Sequence, residues 1–285
     1  MTVSEISTIC RDSVISFPFL GLTLNPPASF TLFGREIYLY GVIIAFAFLV
    51  GILYCTGKSR DCGLREDDLY DLLLWLLPLS IVGARVYFVL FRPDYYLSNP
   101  GEILAVWEGG LAIYGGVIAG IITVAVFCRR RKLPAAAVTD LLITACILGQ
   151  SIGRWGNFTN REAFGAETGI FCRMGLTDTS GTTIYVHPTF LYESLWNFAG
   201  FLLLNTLLSG RRKYEGQCLY VYCLWYGTGR ALIEGLRTDS LYIPGTGIRV
   251  SQLLSVLLVL FGAAMLIRKE CGLRDSTCPS DRKVP

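Results

Sequence analysis

Four stretches of this chain carry ionisable or strongly polar side chains inside long apolar runs. The first is Tyr226-Gly227-Thr228-Gly229-Arg230, followed by Glu234 and Arg237. Spacings of four, four and three put Tyr226, Arg230, Glu234 and Arg237 on one helix face. An ionisable group at membrane depth costs about 2.5–3.5 kcal/mol on insertion scales, so such a stripe avoids lipid. It either lines a polar cavity or serves as an Arg230–Glu234 pair that only locks helices. The second stretch runs Gly153-Arg154-Trp155-Gly156-Asn157-Phe158-Thr159-Asn160-Arg161-Glu162-Ala163-Phe164-Gly165. The planar guanidinium forks of Arg154 and Arg161 suit phosphate. Asn157 and Asn160 add amide donors, Glu162 can take a proton or orient a donor, and the glycines let backbone approach a ligand closely. The alternative is an interfacial loop with snorkelling arginines.

The third stretch, Glu108-Gly109-Gly110-Leu111-Ala112-Ile113-Tyr114-Gly115-Gly116, places Tyr114 between two Gly-Gly pairs. That pattern suits tight helix packing and a pocket wall, and Tyr114 could equally be an aromatic-belt anchor. Gly116 and Gly120 form a small-xxx-small pair, which by itself indicates close helix contact. The fourth group is scattered: Arg85 in Gly83-Ala84-Arg85-Val86-Tyr87, His187 and Glu193 in His187-Pro188-Thr189-Phe190-Leu191-Tyr192-Glu193, and Tyr40 beside Gly41. Each is ambiguous alone, and a lone histidine there is more often a hydrogen-bonded cap than a catalyst. Gly149-Gln150-Ser151-Ile152-Gly153 matches the G-x-S-x-G elbow, yet it sits in an apolar helical run rather than a strand–turn–helix.

The elements that must position these residues are spanning helices. The chain is 53% hydrophobic and only 16% charged, against about 25% charged in soluble domains. Apolar runs near 37–56, 69–91, 111–128, 136–153, 190–209, 217–235 and 248–267 are each about long enough to cross a bilayer. Backbone groups in lipid must pair internally, which makes these runs helices. The expectation is an all-α, polytopic bundle of about seven transmembrane helices without an internal repeat. Its boundaries are an irregular or interfacial segment at 1–35, one transmembrane catalytic domain at 36–268 and a cytoplasmic tail at 269–285. A net charge of +3 without a basic, aromatic-interleaved run argues against nucleic acid. The 10 cysteines show no C-x-x-C and there is one histidine, so no metal site is expected. No basic region followed by a long apolar run opens the chain, so no cleavable signal peptide is expected.

Lysine and arginine concentrate on one side of the spans. That side carries Lys58, Arg60 and Arg65, then Arg129, Arg130, Arg131 and Lys132, then Arg211, Arg212 and Lys213, then Arg268, Lys269 and Arg274. The positive-inside rule makes it cytoplasmic. An odd number of spans then puts the N-terminus outside, the C-terminus inside, and the long loop near 154–189 outside.

The stretch Gly153–Gly165 resembles the signature G-R-x-G-N-F-x-N-x-E-x-x-G of the prolipoprotein diacylglyceryl transferases, with every fixed position met. The Tyr114, His187–Glu193 and Tyr226–Arg237 stretches resemble motifs of that family in the same order, and the likeness spans about 36–268. The resemblance implies a bacterial inner-membrane enzyme with its site toward the extracytoplasmic face. It would move diacylglyceryl from phosphatidylglycerol to the lipobox cysteine of a preprolipoprotein, form a thioether, release glycerol phosphate and need no cofactor. By position, Arg154, Asn157, Glu162 and Gly165 match signature residues, and Arg154 and Arg230 match the essential arginines. Glu234 and Arg237 match their helix-face partners, and Tyr40 matches a tyrosine of the first span. Catalysis is therefore expected of Arg154, Arg230, Glu162, Asn157 and Tyr114. Substrate binding is expected of Arg154, Tyr40, Gly165, Tyr226, Glu234, Arg237, Arg161, Arg85 and His187.

One departure stands out. Many members carry histidine, assigned as a base, where this chain has Tyr114. A phenol with pKa near 10 is a poor base for a thiol near 8.5. Either nearby arginines lower that pKa or Tyr114 only positions lipid. Two other classes compete with the transferase. A lipid or anion transporter would also bury arginines, and an intramembrane serine hydrolase would use Ser151.

Overall fold

The computed structural model describes residues 13–238, 240–243 and 245–277. Residues 1–12 of the expected N-terminal segment and 278–285 of the expected tail lie outside the described residues. The described chain is mostly helical, with short strands at its N-terminal end and in the long loop. The helices are α1 (Leu39–Lys58), α2 (Glu66–Leu90), the short α3 (Pro93–Ser98), α4 (Ile113–Arg131), α5 (Ala135–Asn160), α6 (Thr189–Thr206), α7 (Gln217–Glu234) and α8 (Val250–Thr277).

Five described helices are long and apolar enough to cross a membrane: α1, α2, α4, α5 and the Val250–Gly272 part of α8. The two remaining expected spans form α6 and α7, each of 18 residues. Their hydropathy is diluted by Glu193, Asn197 and Asn205 on α6 and by Gln217, Arg230 and Glu234 on α7. The helices that fall short by composition are thus those that hold the polar stripe.

An all-α fold is corrected by two small antiparallel sheets. Strands β1 (Val14–Phe17), β2 (Leu22–Leu24), β5 (Met174–Thr177) and β6 (Thr183–Val186) form one sheet in the order β2-β1-β5-β6. Strands β3 (Ser29–Leu32) and β4 (Arg35–Tyr38) form a hairpin that runs directly into α1. The segment expected to be irregular is therefore strand-built from Val14 onward. Ile15, Phe17, Met174, Leu176, Val186 and Phe190 form the sheet's buried core, with Phe158 and Phe164 of the long signature packed against it. The sheet thus fixes the far end of α5 and the loop that follows.

The described residues cluster in two compact units where a single domain was expected. One comprises the chain up to Tyr54 and from Ile143 on; the other is Cys55–Leu142. In the second unit α2 and α4 cross closely. A Cβ on Gly116 would lie 3.3 Å from the Ser80 carbonyl oxygen, and one on Gly120 would lie 3.3 Å from the Ser80 hydroxyl. This is the close contact expected from that glycine pair. Arg85 is buried in the same unit. Its guanidinium donates to the carbonyls of Ile103 (2.9 Å), Gly109 (2.7 Å), Gly110 (3.0 Å) and Glu102 (2.6 Å). It also lies against the Tyr96 ring. Arg85 therefore folds the 102–110 segment back onto α2. Tyr114, half-buried, is the second residue of α4.

In the first unit α6 and α7 are tied by Trp196 and Trp225. Each indole N–H donates to the other's backbone carbonyl, at 3.0 and 2.9 Å, and the rings stack 4.7 Å apart. Gly200 leaves room for them, because a Cβ there would come 2.6 Å from Trp225. Gly227 lets α8 approach α7, since its Cβ would sit 2.8 Å from the Ser255 carbonyl oxygen.

Candidate active site

The site lies in the first unit, where the ends of α5 and α7 and the first turns of α6 meet. Helix α5 was expected to stop at Gly153, yet it runs to Asn160. Two glycines weaken a helix by roughly 1 kcal/mol each, and here packing outweighs them. Gly156 lies against the Tyr40 ring of α1, with room for no Cβ (2.6 Å). Arg154 and Asn157 consequently sit one turn apart on a helix, and the Arg154 Nη1 donates to the Asn157 Oδ1 at 3.4 Å.

Three arginines converge on one carboxylate, Glu193. Arg154 Nη2 pairs with Oε2 at 2.5 Å, and Arg230 Nη1 and Arg237 Nη1 pair with Oε1 at 3.0 and 3.2 Å. Arg230 also pairs with Glu234 one turn along α7. Both carboxylates are almost fully buried, Glu193 at 4% exposed and Glu234 at 1%. A buried charge at this depth persists only when paired. Arg154 keeps 22% of its side chain exposed, against 15% for Arg230 and 11% for Arg237. It is thus the most accessible of the three.

Glu193 is held in place on both sides. The neighbouring Ser194 hydroxyl donates to the Ser151 carbonyl at 2.9 Å, and the Ser151 hydroxyl donates to the Ser194 carbonyl at 2.8 Å. Trp155 Nε1 donates to the Ser194 hydroxyl. This stitch joins α5 to α6 beside the Arg154–Glu193 pair. One turn further, Trp196 joins α6 to α7. Ser151 is buried in a helix interior and occupied by Ser194, which is not the exposed turn of a nucleophile elbow.

The second half of the long signature forms the loop beyond α5. Glu162 accepts from Asn157 Nδ2 at 2.9 Å and from Asn160 Nδ2 at 3.5 Å. Its carboxylate is exposed, so Arg154 connects to it through Asn157, while Glu193 is the direct partner of Arg154. Arg161 and Ala163 both adopt left-handed backbone, φ 52° and 57°. Such strain in non-glycine residues needs surroundings that enforce it. Arg161 supplies them. Buried at 6% exposure, its guanidinium donates to the Ser13 carbonyl (2.6 Å), the Thr159 carbonyl (2.9 Å), the Asn25 Oδ1 (2.7 Å) and the Pro26 carbonyl (2.8 Å). The structure thus ties Arg161 to the residues flanking β1 and β2.

Gly165 occupies a crossing of three segments. Its N–H donates to the His187 carbonyl at 2.9 Å, and a Cβ would meet the Leu236 carbonyl at 2.9 Å. It forms an isolated bridge with Arg237, so it sets that arginine's backbone position. His187 lies with its Nδ1 3.5 Å from the Tyr192 hydroxyl, and its backbone N–H donates to the Ala166 carbonyl. Tyr226 stacks on Tyr222 one turn before Arg230, with rings 5.2 Å apart and 6° from parallel. Tyr114 and Arg85 belong to the other unit. Glu193, ambiguous from the sequence and given no role there, is the carboxylate on which the three arginines meet. Its signal was a lone carboxylate at the start of an apolar run.

Long apolar helices, together with a buried cluster of arginines and carboxylates, mark a multi-pass membrane protein. A family model described as prolipoprotein diacylglyceryl transferase matches residues 27–268. Relatives named phosphatidylglycerol–prolipoprotein diacylglyceryl transferase include one from Finegoldia magna, 43% identical over 240 residues, covering 84% of this chain and 94% of that protein. One from Lactiplantibacillus plantarum is 43% identical over 242 residues, covering 81% and 85%. Another, from Staphylococcus carnosus, is 41% identical over 248 residues, covering 85% and 89%. The chain belongs to the prolipoprotein diacylglyceryl transferase family.

Proposed function

We propose that this protein transfers diacylglyceryl from phosphatidylglycerol to the lipobox cysteine of a preprolipoprotein, the first step of lipoprotein maturation. Membership of the family carries this reading, and the arginine cluster supplies chemistry for it. The cysteine thiolate attacks the glyceryl carbon next to the phosphate oxygen. A carbon–sulfur bond forms, the carbon–oxygen bond breaks, and glycerol phosphate leaves with the electron pair. The thiol's proton must go to a base, and negative charge grows on the departing phosphate. Arg154 and Arg230 oppose that charge, and a guanidinium near the thiol also favours the thiolate. Glu234 is enclosed and holds Arg230. Glu162 is the exposed carboxylate of the signature, oriented by two asparagines, and is the proposed acceptor of the proton. Tyr114, Tyr40 and Tyr226 would contact lipid or its headgroup.

Both substrates are amphiphiles and reach the site from the bilayer. The proposed setting is the bacterial inner membrane, with seven spans once α6 and α7 are included, the N-terminus outside and the site facing outward. The arginine and lysine bias between spans supports this orientation. The deciding experiment incubates purified protein with labelled phosphatidylglycerol and a lipobox peptide. Mass spectrometry should find the peptide heavier by one diacylglyceryl group in thioether linkage. Release of free fatty acid without that adduct would instead favour a hydrolase.

A further inference from the structure

We infer that Glu193 is a positioning residue that also sets the charge of the anion site, so that the site holds a phosphodiester and lets a phosphate monoester go. This rests on the transfer reaction proposed above. Glu193 pairs directly with Arg154, Arg230 and Arg237. These three come from the end of α5, the end of α7 and the segment after it, so one carboxylate fixes the spacing of three separate chain segments. Arg154 and Arg230 each engage two of their nitrogens in the bonds described. A guanidinium has five N–H donors, so both keep donors for an incoming phosphate.

The charges decide the rest. Among the described residues, three arginines less Glu193 and Glu234 leave the ion-paired cluster at plus one. Glu162, attached through Asn157, and Arg249, which donates to the Glu234 carbonyl, offset one another. A phosphodiester carries one negative charge and balances the cluster. The monoester that leaves carries about −1.5 to −2 near neutral pH. The product would therefore overbalance the cluster, and the buried carboxylates repel it. Without Glu193 the same arginines would carry plus two, matching the product rather than the substrate.

The test measures binding of glycerol phosphate to the purified full-length protein by calorimetry, alongside transfer in phosphatidylglycerol vesicles. Glu193→Gln keeps the side chain's length and one acceptor oxygen but removes the charge. It should bind glycerol phosphate at least about tenfold more tightly than the parent at low salt. Its kcat should fall more than its KM for phosphatidylglycerol changes, with product inhibition setting in at correspondingly lower glycerol phosphate. Arg237→Gln moves the charge the other way and should weaken glycerol phosphate binding by a similar factor. Glu193→Gln binding within about twofold of the parent, or more weakly, overturns the inference. If Glu193→Gln does not fold, unchanged binding by Arg237→Gln overturns it. If the parent binds glycerol phosphate but forms no thioether, the transfer reading fails while the calorimetry still decides the charge relation.

Discussion

Arg154 has the most to lose from a change of shape at constant charge. One of its terminal nitrogens serves Glu193 and the other serves Asn157. Lysine keeps the charge but offers one nitrogen and no plane. Arg154→Lys should insert normally and still lose at least about 10²-fold in turnover under saturating lipid, the scale of losing one pre-organised donor. Arg130→Lys, in the basic run that ends α4, should turn over like the parent. Equal turnover by both variants would make Arg154 a packing charge. At Tyr114, loss of the hydroxyl in Tyr114→Phe should cost about 10²–10⁴ in rate if the phenol moves a proton, and little if it only contacts lipid. A chemically weak base in its own helix favours the small effect. At this scale the sequence exposed charge but not what meets it. Arg154, Arg161 and Arg85 look alike as arginines in apolar runs. Only tertiary structure separates the one facing a carboxylate from the two enclosed by backbone carbonyls.

The helices were legible because apolar runs of spanning length allow little else. Their ends were not. Gly153 and Gly156 read as a helix terminus, and contact with Tyr40 carries α5 past them. The strands were illegible because β1 and β2 are three or four residues long, and their partners β5 and β6 lie far along the chain. The α5–α6 stitch yields a prediction of its own. Ser151→Ala should keep most transferase activity yet destabilise the protein by about 0.5–1.5 kcal/mol, because one buried inter-helix hydrogen bond is lost. Thermal unfolding in detergent checks the stability, and a thousandfold drop in activity of folded protein would restore the serine to the chemistry. The β3–β4 hairpin offers a second prediction. Phe30, Leu32 and Ile37 share one face with Arg35 at its end, Ser29, Thr31, Glu36 and Tyr38 the other, and Phe33 at the tip is 97% exposed. The hairpin leads straight into a spanning helix, so that face should rest on lipid. Phe33→Asp should lower activity in vesicles more than in detergent; equal loss in both would place the effect in folding.

For the whole molecule, topology is the open expectation. A reporter that works only in the cytoplasm should be active when fused after Lys269 and silent near Thr179. The reverse would move the arginine cluster to the other face. Family and reaction class were legible from thirteen consecutive residues, Gly153–Gly165, because that stretch binds a helix end, a strained turn and a crossing point into one pattern. The division into two units was not, since nothing in composition changes at Cys55 or Leu142. The sheet has a further bearing, on the order in which the protein is made. β1 pairs with β5, Val14 opposite Thr177, so the first strand leaves the ribosome long before its partner exists. It must wait, unpaired on that edge, while α1, α2, α4 and α5 are synthesised and inserted. Only then can Arg161 reach back to Ser13, Asn25 and Pro26 and close the turn that follows the signature. The loop that follows the signature is therefore closed late, by the meeting of an early strand with the chain's middle. A nascent chain halted before Thr177 should have its first helices in the membrane and no working centre.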